Sequence, residues 1–340
     1  MKKFTVGGLF SGVGGIELAF KKAGCDIIWA NEIDNNACET YKLNHKDTEL
    51  IKKDIKKITV SDLQFVDIIT AGFPCQPFSV AGHRKGFNDE RGQLFFDFIR
   101  LLSDIKPKAF FLENVKSLAT HDNGSTFNII REKILNADYS FIPFILKASE
   151  YTNVPQGRER IYIVGFRGES DFFYSYPILK NLKSGFSKAK LSKQFQIPKK
   201  LSIAPKNIRE FLDATTVIEN DFYNNYNNDI HKKVIDAVIN DNIVYQYRRH
   251  FVRENKSNVC PTLTANMGLG GHNVPIIKDG EFPRRLTPKE CFNLQGFPKN
   301  FKLPNTISRG QLYKQAGNSV VVPLITKVAK EIVRVLYLEN

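Results

Sequence analysis

The sequence predicts an α/β protein built on a mainly parallel sheet flanked by helices, with a smaller, irregular second domain that contains β-structure. Strand-like and helix-like segments alternate through the first half of the 340 residues, which is typical of parallel sheets with crossover helices. Residues 170–283 are instead rich in Lys, Asn and Asp, and the alternation stops there. We therefore expect one domain of residues 1–170 plus 306–340, and a second domain of residues 171–305.

The elements of the first domain follow from its apolar periodicity. Apolar segments predict strands at residues 4–10, 27–31, 66–71, 109–112, 141–146 and 160–166. The segments between them predict helices at residues 15–22, 35–44, 92–103 and 126–136. A last helix is predicted at residues 323–337, and we expect it to return to the first domain.

The charge of the chain indicates a polyanionic partner. The formal net charge is +14 and the pI is near 9.4, and strongly basic proteins commonly bind nucleic acid. Residues 180–200 hold seven lysines and no acidic residue. A second basic cluster is interleaved with aromatic side chains and comprises Tyr245, Tyr247, Arg248, Arg249, His250, Phe251, Arg253 and Lys256. Because no long amphipathic helix accompanies these clusters, they favour nucleic acid over a membrane surface.

The composition argues against membrane and secreted proteins. No apolar run reaches the length of a membrane span, and the N-terminal residues show no signal peptide. None of the five cysteines forms a C-x-x-C pair. This usage predicts reduced thiols in a cytoplasmic protein and no metal site.

Cys75 is the first candidate for chemistry, because it follows an apolar strand in the segment GFPCQPFS, residues 72–79. A thiol at the carboxyl end of a buried strand is placed where open α/β sheets bind ligands, although most free cysteines are small buried hydrophobic residues. Glu113 ends a second apolar strand, and Arg158 and Arg160 precede a third. A nucleophile, an acid and cations therefore all lie at strand boundaries, which favours a cysteine nucleophile.

A cofactor pocket is predicted by the segment FSGVGG, residues 10–15, which links a strand to a helix. Its glycine spacing differs from the dinucleotide fingerprint and argues against a pyrophosphate cofactor. Glu32 ends the second strand, where a carboxylate typically accepts hydrogen bonds from a ribose. Asp54 is placed to hold an adenine amino group. Each acid alone is also compatible with a solvated surface residue, but the order of these features indicates an adenosine-bearing ligand such as S-adenosylmethionine (SAM).

The chain resembles the DNA (cytosine-5)-methyltransferases of bacterial restriction–modification systems, with motifs in the family's order along nearly its whole length. Residues 10–15 resemble the SAM motif and residues 72–79 the catalytic Pro-Cys-Gln motif. Residues 113–115 (ENV) and 156–160 (QGRER) match two further motifs, and residues 261–264 (PTLT) resemble the Thr-Leu pair of the recognition domain. Residues 285–298 resemble the domain-bracing motif, and residues 315–320 (QAGNSV) the last motif, in which Ala316 replaces the usual phenylalanine.

The resemblance implies a Rossmann-like SAM-dependent methyltransferase fold and a reaction at C5 of a flipped-out cytosine in double-stranded DNA, through a covalent bond from Cys75 to C6. Glu113 would donate to N3, and Arg160 with Arg158 would hold O2. The implied catalytic set is Pro74, Cys75, Gln76, Glu113, Arg158 and Arg160. The implied SAM-binding set is Phe10, Gly12, Val13, Gly14, Gly15, Glu32, Ile33, Asp54, Ile55, Pro74, Leu94, Asn318 and Ser319. The implied DNA-binding set is Ser79, His83, Arg84, Lys85, Arg248, Arg249, Arg253, Thr262 and Thr264.

The same resemblance implies a monomer in the bacterial cytoplasm, associated with the nucleoid, with a cognate restriction endonuclease that acts separately. An RNA cytosine-5 methyltransferase on the same scaffold is the main alternative among enzymes, and a catalytically silent DNA-binding relative is the alternative outside them. The sizeable recognition domain favours DNA over RNA. The presence of Cys75, Glu113 and Arg160 argues against a silent relative, and the glycine spacing argues against a SAM-independent redox enzyme.

Overall fold

The computed structural model describes residues 2–74, 90–169, 190–213, 228–248, 250–255, 258–267 and 274–338. The chain divides into two compact units. Unit 1 comprises Met1–Leu146, Glu159–Lys199 and Ile325–Asn340, and unit 2 comprises Lys147–Arg158 and Lys200–Leu324. The units differ from the predicted domains in three segments. Residues 147–158 and 306–324 belong to unit 2, and the described residues 190–199, which were predicted for the second domain, belong to unit 1. The first segment belongs to unit 2 because Gln156 and Arg158 bond to residues of that unit.

Unit 1 contains a sheet whose described strands have the order β3-β2-β1-β4-β5-β7-β6. Its strands are β1 (Thr5–Leu9), β2 (Asp26–Asn31), β3 (Glu49–Ile51), β4 (Ile68–Ala71), β5 (Ala109–Val115), β6 (Ile142–Lys147) and β7 (Glu159–Phe166). Neighbouring strands from β3 to β5 are parallel, whereas β7 is antiparallel to β5. The predicted mainly parallel sheet is confirmed; the short strand β3 was not predicted.

Four described helices before β7 coincide with or overlap the predicted segments, and a fifth, short helix was not predicted. They are α1 (Gly15–Lys22), α2 (Asn35–Asn44), α3 (Glu90–Ile105), α4 (Ser125–Asn136) and the short α5 (Ala148–Tyr151). The Asp34 side chain caps α2 by accepting a hydrogen bond from the Ala37 amide at 3.0 Å, which satisfies an N–H group that has no partner inside the helix. Later helices are α6 (Lys190–Gln194), α7 (Asn228–Ala237), α8 (Pro288–Asn293), α9 (Arg309–Asn318) and α10 (Val322–Tyr337).

The core of unit 1 covers both faces of the sheet, which explains why its strands read as continuous apolar runs. Phe110 of β5 is fully buried, and its ring centroid lies 5.9 Å from that of Phe98 and 5.6 Å from that of Tyr139. The Tyr139 hydroxyl donates to the Pro107 carbonyl at 2.7 Å. Burial of each such aromatic side chain contributes about 2–3 kcal/mol to the free energy of unfolding. This packing fixes the strand ends that carry the site.

Unit 2 contains an antiparallel sheet whose described strands have the order β11-β10-β8-β9. They are β8 (Val244–Arg248), β9 (Phe251–Asn255), β10 (Ile276–Asp279) and β11 (Phe282–Arg285). Helix α7 packs on this sheet, where Val234 and Val238 form a cluster with Tyr245, Tyr247 and Ile276. The two tyrosines that the sequence pattern grouped with the basic side chains are therefore core residues. No helix within the described parts of the chain is long and apolar enough to cross a membrane.

Candidate active site

The carboxyl ends of four parallel strands meet at one edge of the unit 1 sheet. Leu9 at the end of β1 pairs with Asn31 of β2 and Ala71 of β4, and Ala71 pairs with Leu112 of β5. Antiparallel β7 begins at the same edge. The strand order changes direction between β1 and β4, and open α/β sheets bind ligands at such switch points. The predicted cofactor and catalytic segments of unit 1 therefore converge.

The glycine-rich loop after β1 is held in a conformation that requires its glycines. Gly12 has φ +56° and Gly14 has φ +84°, which is the left-handed region that most other residues avoid. The Gly14 amide donates to the Ser11 carbonyl at 2.8 Å, and Gly15 starts α1. A Cβ at position 12 would meet no atom within 4 Å. The loop thus presents open backbone, without the phosphate-binding spacing, which fits an adenosine cofactor such as SAM.

The carboxylate of Glu32 fixes this loop. Its Oε2 accepts from the Gly12 amide at 2.7 Å, and its Oε1 accepts from the amides of Ile33 and Asp34 at 2.7 and 2.8 Å. A carboxylate offers about four acceptor positions, so Glu32 retains capacity for the hydroxyl of a bound ribose. Phe10, at the start of the loop, is half-buried against the core and has φ +55°.

The other predicted cofactor residues of unit 1 differ in exposure. Ile33 is 61% exposed beside Glu32, so its side chain is available to a flat apolar group. Asp54 caps a short 3-10 helix by accepting from the Lys56 amide at 3.0 Å. The side chain of Ile55 is buried in the core of unit 1, and Leu94 is half-buried against the same core.

Glu113 and Arg160 form an ion pair at the edge. Glu113 lies in β5, which continues to Val115 beyond the predicted end, and Arg160 of β7 is paired in register with Val115. The Arg160 Nε lies 3.2 Å from Glu113 Oε1, and the two side chains are 15% and 11% exposed. The sheet therefore brings together the predicted acid and one predicted cation.

Asn114 is a residue of the site for which the sequence reading gave no separate role. It is 2% exposed, its Nδ2 donates to the Phe73 carbonyl at 3.2 Å, and its Oδ1 accepts from the Val115 amide at 2.8 Å. This side chain ties β5 to the backbone immediately before Pro74, which is partly buried. The signal in the sequence was the amide of Asn114, which follows an apolar strand within the Glu-Asn-Val motif. A buried amide requires hydrogen-bond partners and therefore fixes the backbone that it contacts.

Several predicted site residues lie outside the described residues. They are Cys75, Gln76, Ser79, His83, Arg84, Lys85 and Arg249. Their assignments rest on the sequence alone. Among the described residues, no group of three or more His, Cys, Asp or Glu side chains is arranged to hold a metal ion.

Arg158 belongs to unit 2 and contacts backbone there. It is 4% exposed, and its guanidinium donates to the carbonyls of Leu263 and Gly317, both at 3.1 Å. Neighbouring Gln156 is fully buried and donates to the Leu294 carbonyl at 2.7 Å. The prediction grouped Arg158 with Arg160 because both precede a strand within one motif. In the structure, Nη1 of Arg158 donates to two backbone carbonyls of its own unit, which are bracing contacts.

The remaining predicted residues of unit 2 are distributed over three places. Asn318 is exposed at the end of α9, and Ser319 is buried directly after it. The Thr262 hydroxyl donates to the Gly157 carbonyl at 3.1 Å, and the Thr264 hydroxyl donates to the Asn266 side chain at 2.6 Å. Arg248 and Arg253 are exposed and line a cavity of about 160 Å³ on β8 and β9.

The doubly wound sheet, the glycine loop, the acid after β2 and the carboxylate–arginine pair define an α/β methyltransferase. The family profile described as C-5 cytosine-specific DNA methylase matches residues 4–334. The chain belongs to this family, whose members depend on SAM, and it is a DNA (cytosine-5)-methyltransferase.

Curated relatives cover almost the whole chain. The type II methyltransferase M.Bsp6I of Bacillus sp. (strain RFL6) is 46% identical over 332 residues, which are 96% of this chain and 98% of the relative. The type II methyltransferase M.NlaX of Neisseria lactamica is 36% identical over 96% of each chain. A crystal structure of a DNMT2 mutant from Spodoptera frugiperda has a TM-score of 0.69 at 24% identity, with 97% of this chain and 99% of that chain covered. That last likeness shows the shared fold.

Proposed function

We propose that this chain transfers the methyl group of SAM to C5 of a flipped-out cytosine within a short specific sequence of double-stranded DNA. The observation that carries the proposal is the ion pair of Glu113 and Arg160 at the sheet edge that also holds the glycine loop. A protonated acid and a guanidinium at this edge are suited to the two hydrogen-bond acceptors of cytosine, N3 and O2. When bound, SAM supplies an electrophilic methyl group.

In this proposal Cys75 is the nucleophile. Its thiolate adds to C6 of the ring, and the electron pair of the C5–C6 double bond becomes available at C5. This covalent step divides a difficult reaction into easier ones. After methyl transfer, a base removes the C5 proton and the thiolate leaves as the double bond re-forms. Asn114 supports this chemistry indirectly, because it holds the Phe73 carbonyl two residues before Cys75.

Glu113 and Arg160 stabilise the charge that develops on the ring. Glu113, which has to take up a proton for this step, donates to N3, and Arg160 donates to O2. Donors that are fixed in place before the reaction lower the barrier without reorganising during it. The antiparallel pairing of β5 with β7 fixes both side chains from rigid backbone. We place Arg158 outside this set, as a residue that braces Leu263 and Gly317 of the recognition unit.

We assign cofactor binding and catalysis to unit 1 and recognition of DNA to unit 2. Across β8 and β9, Gln246 pairs with Arg253 and Arg248 pairs with Phe251, so these four side chains share one face of the hairpin. Tyr245 and Tyr247 lie on the opposite face in the core. Arg248 and Arg253 are the proposed readers of guanine, with phosphate contact as the alternative role. Arg249 and Thr262 and Thr264 remain further candidates for DNA contact.

The biological role that we propose is the modification half of a restriction–modification system, since the two curated relatives described above are named type II methyltransferases. In this role the enzyme acts in the cytoplasm as a monomer on host DNA, and a separate endonuclease cleaves unmodified sites. Reaching C5 requires flipping the base out of the duplex at a cost of a few kcal/mol.

The proposal is tested by incubating the purified chain and SAM with unmethylated genomic DNA and mapping 5-methylcytosine by bisulfite sequencing. We expect methylation at one short motif, and its complete loss in Cys75→Ala. Cys25→Ala is the matched control, because Cys25 is a buried thiol of unit 1 away from the predicted motifs. A parallel reaction with total RNA tests the alternative substrate. Methylation of RNA alone, or full activity of Cys75→Ala, would contradict the proposal.

A further inference from the structure

The side chain of His45 lies directly behind the cofactor loop. His45 follows the last residue of α2, is 8% exposed, and has its Nε2 3.2 Å from the carbonyl oxygen of Val13. Because a carbonyl only accepts hydrogen bonds, Nε2 carries the hydrogen and donates it. The ring also fills the space that a side chain at position 14 would need, since a Cβ on Gly14 would lie 2.2 Å from Nε2.

We infer that His45 is a positioning residue for the cofactor: it holds the peptide of Val13 so that the glycine loop keeps the conformation that binds SAM. The inference rests on the proposed SAM site in unit 1. It assigns a function to a residue outside the FSGVGG segment, thirty-two positions along the chain from Val13.

The loop is fixed at two adjacent residues by side chains on either side of α2. Glu32, before the helix, accepts from the Gly12 amide at 2.7 Å, and His45, after the helix, donates to the Val13 carbonyl. One contact holds an N–H group and the other holds a C=O group of the same loop. Together with the hydrogen bond from the Gly14 amide to the Ser11 carbonyl within the loop, they fix the orientation of its peptides.

The environment of His45 keeps its ring neutral and oriented. Burial lowers the pKa of His45 to about 4, so the imidazole carries no charge at neutral pH. SAM is a sulfonium cation, and a neutral donor behind the loop avoids repulsion with it. The His45 ring stacks on Tyr41 at a centroid distance of 4.3 Å, and Tyr41 is fully buried. Stacking on Tyr41 therefore keeps the imidazole ring in the orientation in which Nε2 reaches the Val13 carbonyl.

The test measures SAM binding to the purified chain by calorimetry, together with KM for SAM, kcat and Tm. We examine His45→Ala, His45→Leu, which retains bulk without a donor, and His45→Gln, which retains an N–H donor. The matched control is His121→Ala. His121 is also 8% exposed in unit 1, and its Nδ1 lies 2.7 Å from the Thr126 hydroxyl.

We expect the Kd for SAM to rise about tenfold in His45→Ala and His45→Leu, which corresponds to the loss of one buried hydrogen bond. His45→Gln should recover most of the affinity, and KM should follow Kd while kcat at saturation changes little. His121→Ala should lower Tm to a similar extent without changing Kd. A wild-type Kd for SAM in His45→Leu, or an equal rise of that Kd in His121→Ala, would overturn this inference and leave the proposed cofactor site standing. A wild-type chain that binds no SAM would overturn the proposed cofactor site and the inference with it.

Discussion

Two arginine–carboxylate pairs, one in each unit, differ in the geometry of their contact and in their exposure to solvent. In unit 2, Arg284 binds both oxygens of Glu290 at 2.8 and 2.9 Å, and the two side chains are 3% and 0% exposed. In unit 1, the Arg160 Nε lies 3.2 Å from one oxygen of Glu113, and both side chains keep some exposure. The first pair is enclosed by protein; the second lies where other ligands have access.

The surroundings of each pair explain this difference. Glu290 also accepts from the Thr287 amide, within a capping box that begins α8, and Arg284 also binds Asp279. These bonds leave little capacity for another molecule, so we interpret the unit 2 pair as a brace of the sheet and α8. The pair in unit 1 lies at the carboxyl edge of a parallel sheet, where open α/β sheets bind ligands. We therefore interpret the unit 2 pair as structural, and we propose catalysis for the unit 1 pair.

The largest expected effect on stability comes from breaking the enclosed pair. Glu290→Gln removes the negative charge and leaves Arg284 buried with Asp279 as its remaining carboxylate partner among the described residues. The loss of one member of a buried pair costs about 3–5 kcal/mol, and urea unfolding measures it. The control is Glu331→Gln, because Glu331 pairs with Arg334, which is 44% exposed, and such pairs contribute about 0–1 kcal/mol. Equal costs for the two variants would contradict the interpretation of the unit 2 pair.

A second prediction concerns Glu17, a buried carboxyl in α1 of unit 1. Burial raises its pKa to about 7, although the Ser11 side chain opposes that shift. The folded chain therefore keeps a proton that the unfolded chain releases above pH 4.5. The free energy of unfolding should fall as pH rises from about 4.5 to 7, by up to about 3 kcal/mol, and then level off.

The measurement for Glu17 is the difference in unfolding free energy between wild type and Glu17→Gln across pH 5–8. Taking the difference removes the contribution of His45, because both proteins contain this residue. The contribution of His45 has the opposite pH dependence to that of Glu17: it stabilises the fold above about pH 6.5 and is lost as pH falls through the lowered pKa of His45. A difference that stays constant with pH would show that Glu17 does not titrate in this range.

The smallest expected effect concerns Asn114, which ties β5 to the backbone that follows β4. Asn114→Ala removes the hydrogen bond to the Phe73 carbonyl and loosens the backbone before Cys75. We expect the single-turnover rate of methyl transfer to fall about tenfold, because small displacements of a nucleophile are costly, whereas Kd for SAM stays constant. An unchanged rate would show that the position of the nucleophile does not depend on Asn114.

The first half of the fold could be predicted because local signals and tertiary structure agree there. Helices α1 and α2 occupy the predicted residues. Asp34 directly before α2 is a strong helix-start signal, and α1 begins where the glycine-rich loop ends. The pair of Glu113 and Arg160 could be anticipated from their places at strand ends. Strand β3, with only three residues, gave no apolar pattern of useful length.

The roles of other residues depend on contacts that are distant in sequence. Arg158 bonds to Leu263 and Gly317, more than 100 positions away, and no local pattern distinguishes it from Arg160. Tyr245 and Tyr247 alternate with basic residues, but strand geometry turns them to the core and leaves Arg248 on the opposite face. His45 carries no motif signal, because its function depends on a ring placed against Gly14 by the fold.

The central claim is that the pair in unit 1 performs chemistry whereas the pair in unit 2 maintains structure. The most direct test is the single-turnover rate of methyl transfer to DNA by Glu113→Gln and Glu290→Gln, measured with Tm for each. We predict that Glu113→Gln slows transfer by about 10³-fold with Tm close to wild type, and that Glu290→Gln lowers Tm but transfers methyl groups at a near wild-type rate while folded. A Glu113→Gln enzyme that retains its rate, or loses it only through unfolding, would contradict the claim.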